Sequence, residues 1–564
     1  MAIHPSELAI VQPKAVPQGT PDYEKKRASI LEAFAAKVPP ELRLSPKITA
    51  DPPKDVSEIP TTCGILTPAE INITEKYDAV GLAEAIAARK LSAVEVATAF
   101  SKRAIIAHQI TCCLTQWFMD DAIKRAQELD KYLEKNGKTI GPLHGVPISI
   151  KEHMPIAGTY SSQGSLASTV FDEKDCLLVS MLRSMGAVFY CKTNQPQTIM
   201  HLETTSHYGR SLCPFNIDLS AGGSSGGEAA LVAMKGSVLG VGTDIGGSIR
   251  GPAAFCGIYG YKSTSYMLPM KDFLGHAFSA ELNILCRQVR LTGPFCRSLR
   301  DMDLFMTTVL GQKPYLMDPK VVPLPWTGLT TKTRKPLRIG VIENDGFVDP
   351  QPPVKRAIIW ARERLSDPQH SDIIQVKPFK PYKAQEAWKQ IRRMYWPGGG
   401  KLAKEDIMST GEPVLPLSDW IWKDAEPHGM LHAEEVNELR AARDKFRYEF
   451  ADSWNEQEVD IVIGPAFVGP ASAHDTAFYW TYTSLYNFVD YPGVVVPTPI
   501  KAKNKENYAA DYKPLSDECR HTRELWERSD FEGAPINLQV NARRYHDNDL
   551  FGALAVLKDI LDLP

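Results

Sequence analysis

The chain has 564 residues, 43% hydrophobic and 23% charged, the composition of an ordinary globular protein with ample core. The formal net charge of −3 leaves no basic excess to neutralise phosphates, which argues against nucleic acid as a partner. No run of 18 apolar residues occurs, so no membrane span is expected, and the opening MAIHPSELAIVQPK has no basic stretch leading into an apolar one, so no secretory signal is expected either.

The length prior suggests two to four domains, or a large α/β unit that exceeds it. The ten cysteines form no CxxC pair, which removes zinc and dithiol redox signatures and leaves buried, reduced thiols in a cytoplasmic protein.

In chain order, the first 60 residues hold ten prolines and read as an arm wrapped on the surface. Within it, Asp22 to Val38 places Ile30, Leu31, Phe34 and Val38 at helical spacing, stopped by Pro39-Pro40. A second helix is expected after Thr74 as N-cap, with Leu82, Ile86 and Ala87 on one face. Ser92 with Glu95 forms a capping box opening a third. Short β-type runs follow at 146–150, 187–192, 337–342, 459–463, 493–497 and 536–540, with helical patterns between them. This interleaving predicts an α/β architecture, a mixed central β-sheet covered by helices on both faces. Residues 1–70 read as the arm and 71–564 as the main domain, with a mainly helical excursion near 350–450.

Ten of the 31 residues from Gly222 to Pro252 are glycine, in GGSSGGEAALVAMKGSVLGVGTDIGGSIRGP. Glycine weakens helices and strands, so its concentration here needs a reason. A phosphate-binding loop needs a lysine where Glu228 stands, and GxGxxG fails because Gly240, Gly242 and Gly246 are spaced one residue too far. GGSSG fits a nucleophile elbow formally, centred on Ser224, with His521 and His546 available near the end of the chain as partners. TDIGGSIR instead brings successive small positions before a serine. That pattern lets backbone N–H groups converge on one point, as an oxyanion hole requires. Upstream, HGVPISIKEHM puts Lys151 at the end of an apolar β run. A lysine buried there is desolvated, which favours its neutral, proton-accepting form.

These residues carry a family resemblance. The segment GGSSGGEAALVAMKGSVLGVGTDIGGSIRGPAAF resembles the signature of the amidase signature enzymes, and GPLHGVPISIKE resembles their strand and lysine. The likeness continues through GAVFYCKTNQPQTIM, LRIGV, VDIVIGP and GAPINLQVNARR, and is nearest to fungal acetamidases and general amidases. The resemblance implies the amidase signature fold and a Ser–cisSer–Lys triad, with Ser248 as nucleophile, Ser224 as bridging serine after a cis Gly223–Ser224 peptide, and Lys151 as base. It also implies an oxyanion hole from the N–H groups of Ile245, Gly246, Gly247 and Ser248, and a substrate cavity near Ile199 and Met200. The activity implied is hydrolysis of a small-molecule carboxamide through an acyl-enzyme, without metal or cofactor, by a cytoplasmic enzyme, with a homodimer as the assembly usual among relatives. The glutaminase subunit of an amidotransferase and a non-catalytic binding protein keeping the fold are the competing alternatives. Ser225 is expected to support the triad, Asp244 and Arg250 to form a structural ion pair or a backbone tether, and His153 and His201 to be core or solvated. Asn537 and Asn541 stand where relatives more often have glycine, which implies a narrower or more polar region near the pocket.

Overall fold

Eleven strands make one mixed sheet in the computed structural model, which describes residues 8–274, 291–503 and 505–564. They are β1 (Leu114–Trp117), β2 (Pro147–Lys151), β3 (Val188–Thr193), β4 (Leu239–Asp244), β5 (Tyr259–Lys262), β6 (Leu291–Cys296), β7 (Leu337–Val341), β8 (Ile374–Pro378), β9 (Ile461–Pro465), β10 (Gly493–Lys501) and β11 (Pro535–Ala542). Their order across the sheet is β1-β3-β2-β4-β6-β5-β10-β11-β9-β7-β8. The pairs β3–β2, β2–β4, β9–β7 and β7–β8 are parallel, and the rest antiparallel. Every residue of β2, β3, β4, β6, β9 and β11 is buried. Successive side chains of a strand point to opposite faces, so both faces of the sheet are covered.

The six apolar runs all become strands: β2, β3, β7, β9, β10 and β11. Five further strands of this sheet were not expected. β4 (LGVGTD) and β6 (LTGPFC) carry glycine or proline in their interiors, which lowers strand propensity. β1, β5 and β8 are only four or five residues long. The stretch near 350–450 carries the helices Pro352–Leu365, Ala384–Tyr395, Lys401–Ser409, Pro416–Trp422 and Ala433–Glu456, together with the edge strand β8.

The first helix, α1 (Pro21–Ala35), begins at the N-cap Thr20. The leading segment is pinned to the body by Val11 N–H to the Gln109 carbonyl (2.9 Å), Arg27 Nε to the His207 carbonyl (2.6 Å) and Val56 N–H to the Pro214 carbonyl (2.8 Å). Thr74 is not an N-cap. It lies inside the helix Pro68–Lys76, where its hydroxyl donates to the Glu70 carbonyl at 3.0 Å. Thr67 and Glu70 cap that helix, and Asp78 caps the next, Ala79–Ala87. An aspartate is an equally good cap, and its position directly before the apolar stretch wins. Leu82 and Ile86 are buried as expected, but Ala87 is exposed and Ala85 takes its place in the core. The Ser92–Glu95 capping box opens α2 (Ala93–Thr111), which packs against β1, β2 and β3.

Of the ten cysteines, nine lie within the described residues; all nine are free thiols and all but Cys63 are buried, while Cys286 lies outside the described residues. No helix among the described residues is long and apolar enough to cross a membrane.

Candidate active site

The sequence-predicted residues gather at the carboxyl ends of two neighbouring parallel strands. β2 ends at Lys151, and β4 ends at Asp244. Parallel neighbours present their carboxyl ends on the same side, where open α/β sheets hold ligands. Residues 245–249 lead from β4 into α4 (Arg250–Phe255), and the GGSSGG loop leads into α3 (Gly226–Ala233).

Lys151 Nζ lies 2.6 Å from Ser224 Oγ and 3.2 Å from Thr243 Oγ1. The Gly223–Ser224 peptide is cis. Ser225 stitches the two loops together: its N–H donates to the Ser248 carbonyl (3.2 Å) and its hydroxyl to the Thr243 carbonyl (3.3 Å). Lys151 and Ser224 are 0% and 1% exposed, whereas Ser248 is 7% exposed, so Ser248 is the most accessible of the three.

The loop 245–249 is held from outside by its carbonyls. Tyr395 OH donates to the Ile245 carbonyl (3.4 Å), Thr483 Oγ1 to the Gly246 carbonyl (2.7 Å), and Gly251 N–H to the Gly247 carbonyl (2.6 Å). In a trans peptide the N–H points opposite to its carbonyl, so these contacts fix where the N–H groups of Gly246, Gly247 and Ser248 face. The Gly247 N–H, expected among the oxyanion donors, is instead taken by Asp244 Oδ1 at 2.8 Å. A buried carboxylate is a stronger acceptor than any neutral group nearby. The N–H groups of Ile245, Gly246 and Ser248 have no acceptor among the described residues.

Asp244 is the hub of this loop. It also accepts from the N–H groups of Ile249 (3.0 Å) and Arg250 (3.3 Å), from Arg250 Nε and Nη2 (both 3.2 Å), and from Asn487 Nδ2 (2.8 Å). Burial pushes its acid up, but the Arg250 charge and these donors outweigh that and hold it at about 2. Asp244 and Arg250 therefore form the expected ion pair, fully buried.

The glycine concentration has a packing cause at several positions. A Cβ on Gly246 would lie 2.3 Å from Tyr395 OH, one on Gly227 2.4 Å from Asn194 N, and one on Gly240 2.2 Å from Glu228 Oε2. Gly247 has φ +135°, and its Cβ would lie 2.2 Å from Thr483 Oγ1.

Glu228 went unused in the sequence reading except to exclude a phosphate loop. Fully buried, it accepts hydrogen bonds from Ser149 Oγ (2.5 Å) and Thr193 Oγ1 (2.8 Å). Burial pushes its carboxyl up to about 8, against the pull of those donors and of Lys151. Its folded-state value thus exceeds the ordinary glutamate value of about 4.3, and the unfolded chain loses this proton first as pH rises. The contribution of Glu228 to stability is full below about pH 4 and declines as pH rises towards 8. The isosteric Glu228→Gln variant carries no such titration. Its melting temperature relative to the wild type is expected to rise steadily from pH 5 to pH 8. A difference that stays constant over that range contradicts the assignment.

Ile199 is half-buried with φ +61°, and Met200 is buried. Their segment touches the Gly223–Ser224 peptide just downstream: a Cβ on Gly223 would lie 2.6 Å from the His201 carbonyl and 2.5 Å from Glu203 N. His201 is a core residue, with Nε2 3.5 Å from Ser418 Oγ. His153 is also buried, but its Nε2 lies 3.5 Å from Thr243 Oγ1, beside the lysine. His521 bonds Tyr479 OH (2.9 Å) and His546 bonds Asp549 (2.5 Å); the side chain bonded to Ser224 is that of Lys151. Asn537 Nδ2 donates to the Ala253 and Ile258 carbonyls (3.0 and 3.2 Å), so it ties β11 to α4 and to the residue just before β5. The supporting residues missed in the sequence are Thr243, Thr483, Asn487 and Tyr395. Thr483 and Asn487 share the helix Thr481–Phe488, TYTSLYNF, whose residues are all buried. Hydroxyls or an amide at six of the eight positions of a buried helix are the sign that could have exposed it.

Comparisons with known proteins bear on the family and the fold. A family model described as Amidase matches residues 95–551. A Schizosaccharomyces pombe protein bearing an amidase name is 41% identical over 517 residues, covering 90% of this chain and 95% of its own. An acetamidase of Emericella nidulans is 37% identical over 517 residues, covering 88% and 91%. Among solved structures, a fatty acid amide hydrolase superposes with a TM-score of 0.87 at 32% identity, covering 96% of this chain and 95% of that one. The chain belongs to the amidase signature family of amide-hydrolysing enzymes.

Proposed function

We propose that the protein hydrolyses a small to medium carboxamide through an acyl-enzyme on Ser248, with Ser224 as proton relay and Lys151 as base. The observation that carries this reading is the 2.6 Å contact of a fully buried lysine amine with Ser224, beside a loop of inward-facing backbone donors. Desolvation favours the uncharged amine, the form that can take a proton. Ser248 Oγ attacks the amide carbonyl carbon, and its proton passes through Ser224 to Lys151. The N–H groups of Ile245, Gly246 and Ser248 receive the oxyanion, with Gly247 left to anchor the turn on Asp244. Losing one such donor costs about 10²–10³-fold in kcat. The C–N bond then breaks as the proton returns through Ser224 to the leaving nitrogen, and ammonia or an amine departs. Water adds to the acyl-enzyme by the same relay, and the carboxylate is released. Ile199 and Met200 line the acyl side in this account. The acetamidase names of two relatives support a short acyl group.

The test is a panel of aliphatic, aromatic and long-chain amides given to the purified chain alone. Equal release of carboxylate and of ammonia or amine is expected from the shorter members. Hydrolysis of none of them without added subunits would point to an amidotransferase component.

A further inference from the structure

Behind Lys151 runs a line of buried polar groups that hydrolysis as described above does not use. At its far end, Gln195 Nε2 donates to the Ser162 carbonyl (2.9 Å) and to Glu152 Oε2 (2.6 Å). An amide nitrogen only donates and a carbonyl oxygen only accepts. The Ser162 contact therefore settles which way the Gln195 amide faces, whatever the proton state of Glu152. Gln195 Oε1 is thus the atom that lies 2.8 Å from His153 Nδ1. An acceptor opposite Nδ1 places the ring proton there and leaves Nε2 of the neutral imidazole as an acceptor.

Nε2 faces Thr243 Oγ1 at 3.5 Å, the longest link in the line. A hydroxyl has a single proton to give. With that proton directed at His153, the Thr243 oxygen is left to accept from Lys151 Nζ at 3.2 Å. The amine then spends an N–H on Thr243, and its lone pair is available to the Ser224 hydroxyl at 2.6 Å. Reversing any link upstream would let Thr243 donate to the amine and occupy the lone pair that Ser224 needs. Lys151, Glu152, His153, Gln195 and Thr243 are all buried, so the line is shielded from bulk solvent.

Resting on the roles proposed for Lys151, Ser224 and Ser248, we infer that Gln195 and His153 are positioning residues which, through Thr243, set the direction of hydrogen bonding at the base so that it accepts from Ser224. A purely structural network would depend on volume and packing. A positioning network depends on an acceptor at the place of His153 Nε2.

The experiment compares His153→Phe, which fills the space without an acceptor, with His153→Gln, whose terminal amide can present one to Thr243. His153→Phe is expected to lower kcat about 100-fold with KM within about 3-fold, and His153→Gln to recover kcat to within about 10-fold of the wild type. Gln195→Leu keeps the imidazole but releases its tautomer, and is expected to lower kcat about 10-fold. Equal losses in the two His153 variants, or a His153→Phe enzyme with at least about one-third of wild-type kcat, overturn the inference. If His153→Phe does not fold, Gln195→Leu decides alone, and unchanged kcat overturns it. Ser248→Ala is run on the same substrate. A live Ser248→Ala enzyme removes the underlying triad, whereas a dead one beside a fully active His153→Phe removes the positioning role only.

Discussion

Ser248→Ala is expected to lower kcat for every amide substrate by at least about 10⁴-fold, with the melting temperature almost unchanged. Removing the nucleophile removes the covalent route, and what survives is binding and the oxyanion donors acting on water. The substitution deletes one hydroxyl at the most accessible position of the three and leaves the Asp244 hub untouched. The loop should therefore keep its shape, and thermal unfolding checks that directly. Ammonia release measured beside the wild type reads the loss. A variant that retains a tenth of wild-type turnover, as a rough bound, would remove Ser248 from the chemistry.

Lys151→Met is the second large effect. Methionine nearly matches the lysine stem in volume and suits a buried site, so folding should persist. The proton route through Ser224 loses its terminus, and general base catalysis of this kind is worth about 10²–10⁴-fold. The loss is expected in kcat, with KM little changed, because the amine is buried behind Ser224 and 0% exposed. It should also be smaller for an ester than for the matching amide. An alkoxide leaves more readily than an unprotonated amine, so only the amide needs the proton returned. Equal losses on both substrates would mean that Lys151 acts in attack alone.

Much of the site was legible because its chemistry is local in sequence. Ser224 and Ser248 lie on one glycine-rich segment, and Lys151 ends an apolar run that becomes β2. What could not be read were the partners brought in by the fold. Asn487 reaches Asp244 from 243 residues away, and Thr483 reaches Gly246 from 237 residues away. The Gly247 N–H, expected as an oxyanion donor, bonds the Asp244 carboxylate, a contact that the glycine-rich pattern alone does not reveal. The same segment hid β4. Its Gly240 and Gly242 lower strand propensity, yet Glu228 and Ser225 press so closely on the strand that no side chain fits there. Pro294 argued against β6 for a similar reason, although β6 sits between β4 and β5. Runs of branched apolar residues such as VVV in β10 left no such conflict between propensity and burial.

The most direct test of the account is to find where the acyl group sits during turnover. Enzyme mixed with an activated ester or a slow amide is acid-quenched within one turnover, digested, and analysed by mass spectrometry. The account predicts a mass increment equal to the acyl group on the peptide containing Ser248, absent in Ser248→Ala and lost again as turnover completes. An increment on any other residue, or turnover with no acylated peptide at any time, would contradict it.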